Sequence, residues 1–535
     1  MKESFIYWNL LFLEHLKRDW KKIIIWICGL SVFSSAFIPS FEEIAKGNGL
    51  SGMFETLKNP AMISMVGTTP IVQATQYTLG ALYAHEMLLF CSLLSMIISL
   101  LHVIAHTRKE EDIGLSEFVR AFKVGRQSNT FSVFVEIILI NAIVSIFITG
   151  ILLSFNAQTI TMQGSLLYGA TIGIAGIIGA SIALLTAQIM PNASASTGLA
   201  LSIVGLLYII RGATDITNVE LAKFNPIGWT YITYPFTENN WGPLGFAVIF
   251  IVIIVVIAFI LESSRDMGTS YIPEIKGRPT AKNSLLSVRG LLLKINKGTI
   301  ISWFIAFIIM GIAYGSIYGD MQTFLASNEL MKQMFSQSNV SIEASFTSKI
   351  VIVMISLVTI LPIAIINKLF NEENKARLNQ MSATKVTRNH LYWTNIGLAL
   401  CTGIIGIFLT VFSLGVTALT VMTHHENIDL ADFLIAGYNL LPVVLFFTSM
   451  TALVLGWIPK IGKLIYLYLG YAFAINYFGE VLEFPTWFSK TSALNWLPPM
   501  PKESFEFSTF FIVGIISLVL MFIGYLGYIK RDWIG

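Results

Sequence analysis

The sequence is short of charge and of cysteine. Only 12% of its 535 residues are Asp, Glu, Lys or Arg, whereas 55% are hydrophobic. A water-soluble enzyme of this length needs a far more polar surface, so that class is excluded. The three cysteines, Cys28, Cys91 and Cys401, lie far apart in apolar segments. This spacing excludes a disulfide scaffold and a zinc cluster built from neighbouring cysteines.

Motifs for nucleotide binding and hydrolysis are missing as well. The sequence contains no G-x-x-x-x-G-K-[ST], G-x-S-x-G, H-E-x-x-H or Cys-x-x-Cys pattern. We therefore expect that the chain is not an enzyme by itself and binds no cofactor of its own. Its formal charge of +3 comes from an uneven distribution of charge between loops, so no nucleic-acid partner is needed to explain it.

Long uncharged segments dominate what is present. A helix needs about 20 mostly apolar residues to cross a bilayer. The sequence predicts an all-α polytopic membrane protein with twelve transmembrane helices. The predicted spans are 23–39, 87–104, 137–153, 166–189, 195–210, 244–261, 300–318, 350–366, 396–421, 433–458, 464–478 and 508–529.

The basic residues predict the orientation. Most of the 34 Lys and Arg fall before the first span, after the last, or in the even-numbered connections, and such residues stay on the cytoplasmic side. We therefore expect a multi-pass protein of the cell membrane with both termini in the cytoplasm. Residues 5–18 pair an apolar stripe with charged positions, which predicts an amphipathic helix lying on the inner leaflet before the first span.

An internal repeat divides the chain into two six-span halves, 1–270 and 271–535. RKEEDIGLSEFVRAFKVGR at 108–126 is echoed by LFNEENKARLNQMSATKVTR at 369–388, and PIGWTYITYP at 226–235 by ALNWLPPMP at 493–501. ESSRDMG closes the first half as IKRDWIG closes the second, and residues 283–298 repeat the leading amphipathic segment. Six spans per half make the copies parallel repeats related by an axis along the membrane normal.

The repeated connections between spans 2 and 3 and between spans 8 and 9 are candidate docking helices. In the first, Leu115, Phe118, Val119 and Phe122 share one helical face. In the second, that face carries Arg377, Gln380, Met381 and Thr384, so the two surfaces should differ. Glu110 and Glu111 suit the beginning of a helix, and both a capping role and a partner-facing role remain open.

These residues resemble a known family. The two connections, the PIGW loop with its echo and the Arg-Asp endings are similar to fused twelve-span permeases of the type-2 ATP-binding-cassette exporters, the group named for export of polyketide antibiotics. The resemblance implies two copies of a separate ATP-binding subunit, which would bind ATP and Mg and dock on both connections. It places Glu110, Glu111, Gly114, Arg120, Val124 and Arg126 in the first docking element and Glu372, Glu373, Arg377, Val386 and Arg388 in the second. This sequence departs from the family pattern at Ala376 and Ser382, which replace a Gly and an Arg.

The expected activity is ATP-driven efflux of an amphipathic drug, antibiotic or peptide by alternating access. Spans 5 and 11 look short, and the aromatic loops after them supply gate or pathway candidates, which interfacial anchoring explains equally well. These candidates are Trp229, Pro235, Trp496 and Pro501. The alternatives are a proton-coupled carrier that uses Glu86 or Glu136, and a lipid transferase built around His424 and His425.

Overall fold

The computed structural model describes residues 2–45, 49–58, 60–266, 268–273, 277, 279–319, 342–382, 384–422, 428–478 and 485–532. Within these ranges the regular structure is entirely helical. The prediction of an all-helical membrane protein is confirmed for this part of the chain. Two compact units divide it, one within Met1–Lys276 and the other within Gly277–Ala326 and Leu330–Gly535.

The first unit contains eleven α-helices. They are α1 Trp8–Phe33, α2 Ile38–Ile44, α3 Gly49–Leu57, α4 Pro60–Val66, α5 Leu79–His106, α6 Arg108–Asp112, α7 Leu115–Arg120, α8 Ser128–Ser154, α9 Met162–Ile189, α10 Ala193–Thr217 and α11 Gly242–Ser264. Short 3-10 helices at Lys2–Phe5, Ala74–Gln76, Val219–Phe224 and Gly228–Thr230 complete this unit.

The described part of the second unit contains nine α-helices. They are α12 Val288–Ser316, α13 Ile342–Asn374, α14 Asn379–Ser382, α15 Arg388–Val421, α16 Leu430–Asn439, α17 Leu441–Trp457, α18 Leu464–Phe478, α19 Thr486–Ser489 and α20 Phe507–Lys530. Its 3-10 helices are Asn283–Leu286, Ile317–Gly319, Pro459–Ile461 and Ala493–Asn495.

Eleven helical segments in the described ranges are long and apolar enough to cross a membrane. They account for eleven of the twelve predicted spans, and this establishes a multi-pass membrane protein. The remaining predicted span, 464–478, is α18, a helix of 15 residues. It is shorter than the roughly 20 residues that a perpendicular crossing requires.

The leading amphipathic segment is not a separate surface helix. Helix α1 runs without interruption from Trp8 to Phe33, so the prediction of a turn before the first span is wrong. The buried residues His15, Asp19, Ile23 and Trp26 follow one helical stripe across the predicted turn. The second half behaves in the same way, since α12 is continuous from Val288 to Ser316.

Two predicted spans have different boundaries from those the sequence suggested. Helix α10 has 25 residues, so span 5 is not short. It continues past the apolar segment because Arg211 and Asp215, four residues apart, form a fully buried ion pair of 3.0 Å. Predicted span 10 is divided at Leu440 into α16 and α17, because Pro442 lacks the amide hydrogen needed to continue the first helix.

Helix α9 lies at the centre of the first unit, packed against α5, α8 and α11. Its glycines allow direct backbone approach: a Cβ on Gly169 would lie 2.6 Å from Thr149 Oγ1, and one on Gly179 would lie 2.7 Å from Met96 Cα. A Cβ on Gly176 would lie 2.6 Å from Ser95 Oγ. Small residues of this kind are the usual means of close helix packing in membranes.

Glycines also allow close packing of α12 against α15 in the second unit. A Cβ on Gly315 would lie 2.7 Å from the carbonyl oxygen of Leu414, and a Cβ on Gly311 would lie 2.6 Å from the carbonyl oxygen of Thr410. Close packing therefore accounts for the glycine spacing of this helix. Helix α13 is buried along most of its length and packs against α15 and α17, where Val358, Leu361 and Ile365 are fully enclosed.

Candidate functional site

We define the first connector as residues 107–127, between α5 and α8. It begins with α6, turns at Gly114 and continues with α7. Gly114 adopts φ 77°, in the left-handed region that favours glycine. The turn separates two parts of the connector, since Arg108 and Glu110 of α6 are buried whereas Glu117 and Phe118 of α7 are exposed.

Glu111 is the centre of an ion-pair network inside the first unit. Arg265, beyond the end of α11, donates from Nη1 and Nη2 to the two carboxylate oxygens at 2.7 Å each. Arg108 Nη1 donates at 3.0 Å and the Gly268 amide at 2.8 Å. Both Glu111 and Arg265 side chains are about 10% exposed or less. This bidentate pair, which we call the first clasp, joins the connector to the chain that follows the last helix of the unit.

Other side chains of α6 extend the attachment. Arg108 Nη2 donates to the Pro191 carbonyl at 2.6 Å, and the Ala193 amide donates to Asp112 at 2.6 Å. Glu110 is 8% exposed and accepts a hydrogen bond of 2.6 Å from Arg18 of α1. The two predicted docking glutamates therefore lie inside the unit, where arginines of the same chain hold them.

The end of the connector is attached through its backbone. Arg126 donates to the Arg265 carbonyl, and Arg120 Nη2 donates to the Arg126 carbonyl at 2.7 Å. The Gly125 amide donates to the Ile6 carbonyl at 3.1 Å. Val124, half-buried, lies in the sharp turn between them. These contacts hold α7 from both sides.

An exposed apolar surface covers the outer side of this attached turn. Phe118 is 66% exposed, Phe122 64% and Ile113 68%. The rings of Phe118 and Phe122 meet edge to face at 5.8 Å. We call these three residues the apolar patch. It corresponds only in part to the predicted helical face. Phe118 lies on α7, but α7 ends at Arg120, so Phe122 follows the helix, and Leu115 and Val119 are half-buried.

The second connector follows α13 and spans residues 375–387, and the last turn of α13 carries an equivalent clasp in the second unit. Arg531 donates from Nη1 and Nη2 to the two oxygens of Glu373 at 2.5 and 2.6 Å. Arg388 Nη1 donates to the Arg531 carbonyl at 2.7 Å. Glu373 and Arg388 occupy the positions that correspond to Glu111 and Arg126 in the repeated motif. We call the Glu373–Arg531 pair the second clasp.

The remaining predicted residues of the second connector have a different character. Ala376 adopts φ 55° and stands where the first connector has Gly114. Arg377, 61% exposed, pairs with Glu372 at 3.0 Å. Met381 and Val386 are partly buried against the core of the unit. The outer surface here is polar, as the sequence predicted.

The aromatic candidates lie in loops at the opposite ends of the helices from the connectors. Trp229 is 8% exposed, and its indole donates to the Lys223 carbonyl at 2.7 Å. Trp496 donates to the Lys490 carbonyl at 2.8 Å, also six residues earlier. Pro235 is buried and Pro501 half-buried, after a cis peptide bond.

A buried contact beside Trp229 reinforces this loop. The Tyr231 hydroxyl donates to Asp215 at 2.6 Å. Burial, together with the neighbouring Asp215 carboxylate, raises the pKa of Tyr231 well above its ordinary range. The loop residues therefore serve as internal supports, and their part in a transport pathway stays a prediction.

Sequence reasoning missed a set of buried histidines near the first connector. His15 and His102 approach the fully buried carboxylate of Glu136 at 3.4 and 3.2 Å. Glu136 is thus an internal residue and does not reach the membrane surface. The spacing of His102, His106 and Glu110 at four-residue intervals is the signal that could have identified the cluster. His424 and His425 lie outside the described residues.

Two comparisons with known proteins bear on this arrangement. The profile of the C-terminal domain of the multidrug efflux system permease Rv1217c matches residues 285–528. The multidrug efflux system permease protein Rv1217c of Mycobacterium tuberculosis is 22% identical over 526 residues, which cover 97% of this chain and 94% of that protein. The chain is homologous to a multidrug efflux permease.

Proposed function

We propose that the chain is the membrane subunit of an ATP-driven exporter of amphipathic drugs or antimicrobial compounds. Two copies of a separate ATP-binding subunit would dock on the two connectors and would carry the ATP and Mg. The name of the homologue, a multidrug efflux permease, supports the transport role. The apolar patch is the single observation that carries the docking role.

The contacts that hold the apolar patch in place favour a protein as its partner. Exposed phenylalanines on a loosely held loop would collapse onto the nearest apolar surface. Here the first clasp and the backbone contacts of Gly125 keep the turn rigid while its phenyl rings stay exposed. Rigid presentation of aromatic side chains is typical of residues that anchor a protein interface.

We propose twelve crossings in two parallel halves, and the second clasp supports this count. Glu373 lies in the last turn of α13 and Arg531 follows α20, and their contact supports placing both helix ends on one side of the membrane. Helix α15 leaves that side, and α16 with α17 returns to it. Since α20 ends there too, it begins on the far side. We infer that α18, which lies between α17 and α20 in the sequence, provides the remaining crossing.

The excess of Lys and Arg on the connector side supports placing both connectors and both termini in the cytoplasm. The cell membrane is the proposed location. The apolar composition of the described helices suits an amphipathic cargo. ATP binding would draw the two docked subunits together and thereby shift the halves from inward-open to outward-open, since the clasps transmit force from each connector to the helix ends.

The docking role is tested by reconstitution with a candidate ATP-binding subunit. We expect the wild-type chain to bind two copies of the subunit in a complex that hydrolyses ATP and exports drug. Phe118→Asp with Phe122→Asp should reduce the complex to one copy and abolish drug export. Phe224→Asp is the matched control, because Phe224 is 82% exposed but ends the 3-10 helix Val219–Phe224, at the opposite end of the helices from the connector. The control variant should keep full complex formation.

Drug export by the chain alone, in vesicles with a pH gradient and no nucleotide, would overturn the ATP-driven mechanism. It would support the proton-coupled alternative, in which Glu136→Gln should then abolish transport. Binding of two copies despite both phenylalanine substitutions would instead rule out the apolar patch as the docking surface. The hydrolysis measurement would then decide whether export depends on ATP.

A further inference from the structure

Six titratable side chains that the transport proposal does not use gather where α1, α5 and α8 meet. They come from four different helices and each is buried or nearly so, which separates them from a solvated surface cluster. Three are imidazoles and three are carboxylates. The members are His15, Asp19, His102, His106, Glu110 and Glu136.

We propose that this cluster binds a divalent transition-metal ion through His15, His106 and Glu110. One ligand atom from each of these residues lies within 4.8 Å of the other two, and all three residues are buried. Two imidazoles and one carboxylate form a ligand set that suits Zn²⁺, Co²⁺ or Ni²⁺, with an open position for water. The site would tie α1 to α5 and to the first connector.

Glu136 supplies a second, independent reason to expect a cation here. Its carboxylate is fully buried, and among the described residues neither oxygen has a hydrogen-bond partner of good geometry. His15 Nδ1 and His102 Nε2, at 3.4 and 3.2 Å, are the side-chain nitrogens that approach it. A buried carboxylate is strongly unfavourable unless positive charge compensates it. A bound cation next to His15 provides that charge.

Carboxylates also stand where they can orient the proposed ligands. Glu136 Oε2 lies 3.4 Å from His15 Nδ1, and Asp19 Oδ2 lies 3.4 Å from His106 Nε2. Metal-binding histidines commonly donate their second ring N–H to a carboxylate, which fixes the tautomer and the ring orientation. The cluster therefore resembles a set of ligands with its supporting groups already in place.

Arg18 occupies the cation position in this structure. It donates to Glu110 Oε1 at 2.6 Å and contacts His106 Nδ1. Its side chain is 44% exposed, so it can rotate into solvent without unfolding its surroundings. Arg18 and a metal ion would compete for the same two ligands. Removal of the arginine should consequently strengthen metal binding.

The second half of the chain carries different side chains at the positions that correspond to three members of the cluster. The constant spacing of the repeated motif puts Ala364, Lys368 and Leu398 at the positions of His102, His106 and Glu136. Lys368 Nζ donates to the Ile295 carbonyl of α12 at 2.6 Å. In that half a fixed ammonium group joins the corresponding helices, so metal binding is expected in the first unit alone.

The test uses the full chain in detergent, purified with a tag that contains no histidine. After equilibration with Zn²⁺ and gel filtration, we expect about one equivalent of bound metal by mass spectrometry, and Co²⁺ should give the visible absorption of a low-symmetry site. His15→Ala and His106→Ala should each lose the metal. His390→Ala, which removes an exposed histidine of α15, should keep it.

Loss of metal in the histidine variants could also result from misfolding, and Arg18→Ala tests for this. It should lower the Kd for Zn²⁺ by about tenfold or more, because it removes a charge that competes with the metal. Less than about a tenth of an equivalent in the wild-type chain would overturn the proposal, since a filled structural site holds its zinc through gel filtration. Full binding by His15→Ala and His106→Ala would overturn it too. The cluster would then be a proton-binding site.

Discussion

The first clasp allows a double-mutant cycle whose outcome follows from its contacts. Arg265→Ala leaves Glu111 with two donors, Arg108 and the amide of Gly268. Glu111→Ala is the harsher change, because it deprives two buried guanidinium groups of their carboxylate. The double variant removes the bidentate pair as a whole and leaves fewer unpaired charges behind.

The magnitudes can be worked out from these partners. Two unit charges about 4 Å apart attract by about 4 kcal/mol at an effective dielectric constant near 20, and breaking a buried pair by removing one partner costs about 3 to 5 kcal/mol. We expect a loss of about 4 kcal/mol for Glu111→Ala and about 3 kcal/mol for Arg265→Ala, which keeps partners for Glu111. The double variant should lose about 4 kcal/mol, so that the coupling energy is about 3 kcal/mol.

Unfolding by SDS titration in mixed micelles gives the required free energies. Glu373→Ala and Arg531→Ala form a parallel cycle in the second unit, where Glu373 is 1% exposed, and should also be coupled. If the losses of the two single variants add up in the double variant to within about 0.5 kcal/mol, the pair does not act as a unit. That result would refute the role of the clasps as mechanical links.

Three further predictions concern stability in the same unfolding measurement. Gly114→Ala should lower the free energy of unfolding by about 1 kcal/mol and Ala376→Gly should raise it by up to about 1 kcal/mol, because both positions have positive φ. A change in the same direction for both variants would contradict this. Trp229→Phe should cost about 1 kcal/mol through loss of its hydrogen bond, and an unchanged stability would show that the bond contributes nothing. Gly176→Ala should cost about 2 kcal/mol by overpacking, whereas Gly205→Ala, with open space around it, should stay within about 0.5 kcal/mol of wild type.

The apolar segments were predictable because burial in lipid requires long uncharged helices, whatever the packing. Helix boundaries were harder to predict, since hydropathy falls at the first charge even where the helix continues. Helix α1 includes Lys21 and Lys22, which point outward, while Asp19 on the same turn faces the protein. Helix α10 likewise continues through Arg211 because Asp215 neutralises it.

The site was predictable in its residue types more than in its contacts. The repeated motif identified Glu111, Glu373 and the two Arg-Asp endings as related features. It could not indicate that Arg265, 154 residues away along the chain, folds back onto Glu111. Local periodicity carries no information about contacts at such separations. The apolar surface at Phe118 was predictable, because the residues that form one face of a short helix lie close together in the sequence.

The glycines of α9 have a bearing on how the first unit can move. Where two backbones touch without side chains between them, one helix cannot slide along the other by a fraction of a turn without collision. The hydrogen bonds that join Asn141 of α8 to Ser95 and Ser99 of α5 also keep these helices aligned. Helices α5, α8 and α9 should therefore travel as a single block. Any rocking motion has to take place at the loops that enter and leave this block.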